Sequence, residues 1–305
     1  MLKLFTASQI RAWDNYTIKH EPISSIHLME RAAIVFKNWF VSKFKSIQKI
    51  HVFCGPGNNG GDGFAISRLL VQKGYNVTSY LINASNKLSV DCQKNYQKLA
   101  DVNTITNTSQ FTIEKIDNND IIIDAFFGSG LSRPIAGIYK FIINALNTIN
   151  CTKIAVDVPS GMFSDSQNLI SDTVLKVDIV ATFQTMKRSF FFKENKDNFK
   201  SVVILDIGLS KTFYTYTKCN WFIIDQVSEI TGYNKHTSSL QKNASVNKHS
   251  NNNTLEIIEL SLKSAYKKKE YIHLKRYYNF IISPEKKVYI ISKSAPIEKA
   301  IAKAS

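Results

Sequence analysis

Residues 47–74 read IQKIHVFCGPGNNGGDGFAISRLLVQKG, an apolar run, a glycine-rich turn and a segment with helical spacing in direct succession. The apolar run 47–54 is typical of a buried strand, and the apolar residues of 66–74 recur at helical intervals before a glycine. A strand that passes through a glycine turn into a helix is the opening of a parallel α/β unit. This stretch therefore indicates the fold class.

The same alternation continues along the chain on both sides of this stretch. Strand-like runs lie at 76–82, 120–124, 152–158, 178–183 and 201–207, and helix-like segments at 89–99 and 138–147, with two more helices expected within 8–44. This order predicts a doubly wound, Rossmann-like, mostly parallel sheet with right-handed crossovers and helices on both faces. Such sheets bind ligands at the carboxyl ends of their strands, so the residues at those ends carry the functional information.

Glycine usage divides the chain into two unequal parts. Eleven of the twelve glycines lie at or before Gly208, and a compact α/β domain needs glycine at turns and helix ends. We therefore predict a domain over 1–225 and a poorly structured, low-glycine, basic tail over 226–305. The tail opens with a polar stretch at 236–256, followed by one possible helix and two short apolar runs (277–283 and 287–292).

The net charge of +15 is concentrated in the tail, where 211–305 hold sixteen Lys and Arg against seven Asp and Glu. A nucleic-acid partner is an alternative, because tyrosines lie among these lysines and could stack on bases. We disfavour it, since the many Lys, Asn and Ile residues are also what an AT-rich coding sequence produces.

The sequence also predicts a cytoplasmic protein without membrane segments. No uninterrupted apolar run approaches the ~20 residues that span a bilayer, and the N-terminus lacks the pattern of a signal peptide. The four cysteines form no CxxC pair and have no nearby His at metal-ligand spacing, which is typical of free thiols in a reducing compartment.

The first candidate site is the glycine-rich turn GPGNNGGDG at 55–63. Its glycines let the backbone pass close to a ligand, and the N-terminus of the following helix offers free N–H groups to a phosphate. The turn is neither a Walker A loop nor a GxGxxG fingerprint. Its packed Asn-Asn-Gly-Gly-Asp string is more specific than glycine content alone.

Two further strand ends carry polar residues. Asp124 ends one strand and a loop of small residues follows it, while Asp157 and Ser160 follow another strand with Pro159 fixing the turn between them. A lone strand-end Asp is often only a cap or a turn former. Because parallel strands end at one edge, these groups form one plausible pocket, and carboxylates held close together there need a cation or protonation.

Taken together, GPGNNGGDG, DAFFGSGL (124–131) and AVDVPSG (155–161) resemble the motifs of the NAD(P)H-hydrate epimerase family, also called the YjeF N-terminal domain. LMERAA at 28–33 is similar to a helix segment of that family. The resemblance runs from about Leu4 to about Ser210 and implies an enzyme that interconverts the R and S forms of hydrated NADH and NADPH.

The resemblance also implies roles for individual residues. The residues that would bind the hydrated cofactor are Asn58, Asn59, Gly60, Gly61 and Asp62, then Gly128, Ser129, Gly130, Leu131, Ser132, Arg133 and Pro134 at its phosphates or ribose, and Asp157 at the reacting ring. The residues that would bind one K⁺ per subunit are Asn59, Asp124 and Ser160. A homodimer is left open.

In this family the domain is often fused to a C-terminal ADP- or ATP-dependent dehydratase, which removes the water from one epimer. The resemblance therefore implies a functional link to such a dehydratase. The tail 226–305 lies where that domain would begin, but it is too short and nearly free of glycine. We interpret it as a truncated or degraded remnant without dehydratase activity.

The implied reaction needs acid–base chemistry and no redox partner. Hydration leaves a hydroxyl on C6 beside the ring nitrogen, and this C–O bond breaks readily once the oxygen is protonated, because the nitrogen lone pair stabilises the cation. Re-addition of water from the other face inverts the carbon. We predict that Asp157 exchanges the proton, with Lys187 as the next candidate; alternatively Asp157 only orients the ring. A catalytically silent ligand- or protein-binding module on the same fold is the rival function.

Overall fold

The computed structural model describes residues 1–84, 87–112, 116–224, 239–241, 254–268, 272–275 and 279–291. In chain order its strands are β1 Leu2–Lys3, β2 Ile50–Cys54, β3 Val77–Ile82, β4 Val102–Ile105, β5 Ile121–Ala125, β6 Thr152–Val156, β7 Val177–Phe183, β8 Phe199–Leu205, β9 Trp221–Ile224, β10 Ser239–Gln241, β11 Ile272–Lys275, β12 Asn279–Ile282 and β13 Val288–Ile291. Its α-helices are α1 Ala7–His20, α2 Ser25–Lys43, α3 Asn58–Val71, α4 Val90–Tyr96, α5 Gly137–Thr148, α6 Lys211–Tyr216 and α7 Thr254–Lys268.

Seven parallel strands form the central sheet in the order β4-β3-β2-β5-β6-β7-β8. The chain builds outward from β2 to β4 on one side, then returns to the centre and builds from β5 to β8 on the other. The strand order thus reverses between β2 and β5, which is where doubly wound sheets open a crevice for ligands. The predicted fold class is confirmed.

Helices cover both faces of this sheet. On one face, Phe36 of α2 and Phe64 of α3 belong to one apolar cluster with the buried β2 residue Val52. On the other face, Ile142 of α5 packs in a second cluster with Ile122 of β5. Both faces of the central strands are apolar because both are covered.

In the central sheet and the helices that cover it, two elements differ from the sequence pattern. α3 begins at Asn58, inside the glycine turn, and so eight residues before the apolar periodicity at Ile66 makes a helix visible. β4 was not predicted, because this edge strand reads VNTI and exposes Asn103 and Thr104. In this strand two polar residues stand between two apolar ones, so it lacks the alternation of apolar and polar residues that indicates a strand.

A second, six-stranded mixed sheet has the order β1-β9-β13-β12-β11-β10. β9 pairs with β1 in antiparallel and with β13 in parallel, so the N-terminal strand and the tail share one sheet. On α7, Ile257 and Ile258 are buried in the same apolar cluster as α5. The Thr254 N–H at the start of α7 donates to Glu194 Oε1 at 2.8 Å.

Of the tail that we expected to be poorly structured, the structure describes 239–241, 254–268, 272–275 and 279–291. The possible helix coincides with α7, and the two apolar runs contain β12 and β13. Most of the polar stretch 236–256 lies outside the described residues. The domain boundary after residue 225 stays a prediction.

No helix in the described ranges is both long enough and apolar enough to cross a membrane.

Replacing Ile258 in α7 tests whether the tail packs on the main core. Ile258 is 1% exposed, so Ile258→Ala should lower the free energy of unfolding by about 2–5 kcal/mol, through lost apolar burial and a residual cavity. Leu260→Ala, two residues on, is the matched control: Leu260 is 43% exposed and should cost under about 0.5 kcal/mol. Urea denaturation measures both. Equal stability of Ile258→Ala and the unmodified protein would show that α7 is not part of the core.

Candidate functional site

A cavity of about 630 Å³ opens at the carboxyl ends of the central strands. The predicted site residues in its wall are Asn58, Asn59, Asp62, Gly128, Ser129, Gly130, Leu131, Ser132, Arg133 and Asp157. The other predicted residues, Gly60, Gly61, Asp124, Pro134 and Ser160, do not line it. The structure therefore brings most of the predicted residues to one cavity, and its volume is that of an ordinary small-molecule site.

The turn at 55–63 requires glycine, because its backbone lies directly against neighbouring backbone and leaves no room for a Cβ atom. A Cβ on Gly60 would lie 1.8 Å from the Gly55 carbonyl oxygen, and a Cβ on Gly55 would lie 2.1 Å from that of Phe126. The Gly55 N–H donates to the Ala125 carbonyl oxygen at 3.1 Å, which ties the turn to the end of β5. These contacts hold the N-terminus of α3 at the cavity.

Behind the cavity wall, Asp124 and Ser160 form a buried pair; both are fully inaccessible to solvent. Asp124 accepts from the Ser160 N–H at 2.7 Å and from Ser160 Oγ at 2.5 Å. Burial raises the pKa of Asp124 to about 6, although the hydrogen bonds from Ser160 and from the Phe126 N–H act in the opposite direction. The pair links the end of β5 to the turn after β6.

Asn59 lies close to the loop that follows β5. The side-chain oxygen of Asn59 would be 2.9 Å from a Cβ on Gly128, so only glycine leaves room for it there. Phe127, which precedes Gly128, donates its N–H to Ser160 Oγ at 3.0 Å. The Asn59 Nδ2 atom is buried and has no hydrogen-bond partner among the described residues. Buried N–H donors without a partner are rare in folded proteins.

Asp157 is held in a strained backbone conformation. Its φ is +68°, in the left-handed region that non-glycine residues rarely adopt, and its N–H donates to the Ala181 carbonyl oxygen at 2.9 Å. Strain of this kind persists only where the surrounding structure fixes it, and it concentrates at functional sites. The Asp157 carboxylate accepts from the N–H groups of Ser129 and Phe183, at 3.3 and 3.2 Å.

Lys187 forms an ion pair with Asp157. Its Nζ lies 2.8 Å from Asp157 Oδ1, and the lysine is 1% exposed. Lys187 also donates to the carbonyl oxygens of Phe183 and Thr185. An ammonium this deeply buried needs such partners, and the pair presents one carboxylate of fixed direction to the cavity.

Sequence reasoning missed the contribution of α1. Arg11, Asp14, Asn15 and Ile18 all line the cavity. The sequence predicted helices within 8–44 but assigned none of their residues to the site. One signal could have revealed these residues. Positions 11, 14, 15 and 18 share one face of the helix, and three of the four residues there are polar.

Two carboxyl groups of the cavity wall are displaced toward their neutral forms. Burial, followed by the negative charge of Asp157, raises the pKa of Asp14 to about 7, and Lys187 acts against this rise. Burial also raises the pKa of Asp62 well above its usual value, and the charges of Asp157, Asp14 and Asp91 add to the effect. The cavity thus combines a carboxylate paired with an ammonium and two carboxyl groups whose pKa values are raised.

Comparison with known proteins shows the family of this chain. Residues 25–189 match the family model described as YjeF-related protein N-terminus. The NAD(P)H-hydrate epimerase of Limosilactobacillus fermentum is 35% identical over 201 residues, which are 66% of this chain and 95% of that protein. This chain belongs to the NAD(P)H-hydrate epimerase family.

Other members of the family extend the comparison. The enzyme of Limosilactobacillus reuteri is 34% identical over 209 residues, 68% of this chain and 96% of its own length. The bifunctional NAD(P)H-hydrate repair enzyme Nnr of Thermofilum pendens is 30% identical over 187 residues, 60% of this chain but only 36% of its own length. The crystal structure of yeast ynu0, YNL200c, has the same fold, with a TM-score of 0.56 at 19% identity over 67% of this chain and 88% of that one.

Proposed function

We propose that this protein is an NAD(P)H-hydrate epimerase, which interconverts the R and S forms of hydrated NADH and NADPH. The observation that carries the proposal is the buried Asp157–Lys187 pair at the wall of a cavity that opens where the strand order reverses. Nearly complete coverage of the Limosilactobacillus epimerases supports it. The reaction belongs to nicotinamide nucleotide repair.

The cavity wall suits a dinucleotide with a hydroxylated ring. The N-terminus of α3 offers N–H groups and a partial positive charge to phosphate, and Arg133 in the loop after β5 adds a full positive charge. The apolar side chains Leu28, Met29 and Phe126 line the same cavity and exclude water. We propose that the loop 128–134 holds phosphate or ribose while the ring lies near Asp157.

We propose Asp157 as an acid–base residue of the inversion. Its carboxylate has a fixed direction, because Lys187, Thr182 and two backbone N–H groups all hold Oδ1 or Oδ2. A carboxylate of fixed direction suits the half of the reaction in which water adds to C6 and loses a proton. The same contacts also fit the alternative, in which Asp157 only orients the ring.

Asp157→Asn separates these two roles. Asparagine keeps the shape but cannot exchange the proton, so the rate of epimer interconversion should fall about 10²–10⁴-fold. The assay starts from one purified epimer and follows the other by chromatography, with the spontaneous rate subtracted. Binding of NADH, measured by calorimetry, should weaken far less.

Asp197→Asn, at an exposed position, is the control for the change of charge and should epimerise normally. Because Asp157→Asn leaves Lys187 buried without its carboxylate, thermal unfolding must show that the variant is folded at the assay temperature. A folded Asp157→Asn protein with near-normal turnover makes Asp157 a positioning residue. A protein that binds NADH but shows no turnover in its unmodified form favours the silent binding module.

We further propose a K⁺ ion at Asn59, Asp124 and Ser160. The donor set fits, because a monovalent cation takes oxygen ligands, and these side chains offer amide, carboxylate and hydroxyl oxygens. The buried Asp124 carboxylate supports the proposal, because burial raises its pKa and a cation beside it would stabilise its negative charge. When bound, the ion would offset the charge of Asp124 without acting as a strong Lewis acid.

Thermal unfolding tests this site without any activity assay. K⁺ should raise the Tm by several degrees relative to N-methylglucamine at equal ionic strength, because a ligand that binds only the native state stabilises it. Asp124→Asn should lose this shift, while Asp197→Asn should keep it. A shift that is absent from the unmodified protein, or unchanged in Asp124→Asn, argues against the proposed ligands.

Several finer expectations remain proposals. A dehydratase that consumes one epimer would be the functional partner, because epimerisation alone restores no cofactor. The cytoplasmic location, a homodimer and the interpretation of the tail as a dehydratase remnant stay predictions from the sequence. The basic tail leaves weak nucleic-acid binding as an alternative partner, which its dependence on salt concentration would reveal.

A further inference from the structure

We propose that Asp14 on α1 is a second catalytic residue, which protonates the departing C6 hydroxyl while Asp157 receives the proton of the incoming water. This inference rests on the proposed epimerase function. It assigns a role to a helix that precedes the residues matched by the family model.

The position of Asp14 in the cavity wall is fixed by the packing of α1. Trp13 is buried and donates its indole N–H to the Ser210 carbonyl oxygen at 2.8 Å. The Ser210 N–H donates to Thr17 Oγ1 at 3.0 Å. At the start of the helix, the Ala7 N–H donates to the Asp165 carboxylate. With one face of α1 held in this way, the face that carries Asp14 is directed at the cavity.

Charge balance in the cavity determines which carboxyl groups ionise. Asp157 has Lys187 at 2.8 Å, so one positive charge compensates it. In the part of the chain that the structure describes, no hydrogen bond or ion pair involves the carboxyl group of Asp14 or that of Asp62. Three carboxylates around one ammonium would repel each other in a partly dry cavity, so the carboxyl groups without a cation retain their protons. The other charged residues of the cavity wall are Arg11, Asp91 and Arg133.

Asp14 lies in the cavity wall and is suited to exchange a proton at neutral pH. Its pKa of about 7 leaves both forms populated, which is the condition for an efficient acid–base group. Burial also raises the pKa of Asp62, so Asp62 is the competing acid that the variants below must separate from Asp14. We therefore assign Asp14 the role of the acid and Asp157 that of the base, because the two carboxyl groups have different surroundings in one cavity.

The proposed step balances without an oxidant or reductant. The Asp14 proton moves to the C6 hydroxyl, the C6–O bond breaks, water leaves with the bonding pair, and the N1 lone pair forms a C6=N1 bond. Water then attacks C6 from the opposite face, the π pair returns to N1, and the surplus proton passes to Asp157. Exchange with solvent returns a proton to Asp14 and releases one from Asp157. In the reverse direction the two residues exchange roles.

The test compares pH profiles of kcat for the unmodified protein and four variants. These are Asp14→Asn, Asp14→Glu, Asp62→Asn and Asp101→Asn. In the unmodified protein, kcat should fall above about pH 7 as Asp14 loses its proton. Asp14→Asn should lower kcat about 10²–10⁴-fold and abolish this alkaline decline. Asp14→Glu, which retains an acid, should keep the decline at a reduced kcat. Asp101→Asn, at an exposed position, should match the unmodified protein.

Thermal unfolding separates this role from a structural one. A carboxyl group whose pKa is raised on folding destabilises the native state above its unfolded pKa, and the cost grows until the pH passes the folded pKa. Asp14→Asn should therefore raise the Tm at pH 8 and leave it nearly unchanged at pH 4. A structural role predicts a lower Tm at both pH values.

Each failure has a distinct meaning. If Asp14→Asn is folded and keeps both the kcat and the alkaline decline, Asp14 is not the acid. If Asp62→Asn removes the decline and Asp14→Asn does not, the proposal is overturned in favour of Asp62. If the unmodified protein does not interconvert the epimers at all, the proposed function itself fails, whatever the variants do.

Discussion

The reversal of strand order between β2 and β5 is the constraint on which the site depends. The chain runs from β2 toward β3 on one side and from β5 toward β6 on the other, so these two connections diverge and a crevice opens between them. The register pairs Phe53 with Asp124 and Asp124 with Ala155, so the ends of β2, β5 and β6 are neighbours. Three segments distant in sequence thereby meet at one edge.

The second constraint is electrostatic. Lys187 brings a positive charge into an almost dry position and pairs there with Asp157 at 2.8 Å. Asp14 and Asp62 are then held toward their neutral forms by burial and by the charge of Asp157. The cavity wall thus holds one carboxylate paired with an ammonium beside two carboxyl groups whose pKa values are raised.

The sequence predicted most of the central sheet and much of the cavity wall, because strand periodicity and strand-end position determine both. It did not predict Asp14, since the role of α1 depends on which helix face reaches the cavity, and that is set by the contacts of Trp13 and Thr17 with Ser210. It also did not predict how α7 packs. Ile258 is buried by contacts with distant parts of the chain, and no local pattern reveals such contacts.

The central claim is that this cavity inverts C6 by breaking and reforming its C–O bond through proton transfer. Following the oxygen atom at C6 tests this claim most directly. One purified epimer is converted by the protein in ¹⁸O-water, and the mass of the newly formed epimer is measured early in the reaction, with the spontaneous exchange subtracted. We expect one ¹⁸O atom in each inverted molecule, because a water molecule from the solvent replaces the departing one. Inverted product that retains its original oxygen would show that the C–O bond survives, and would contradict the account.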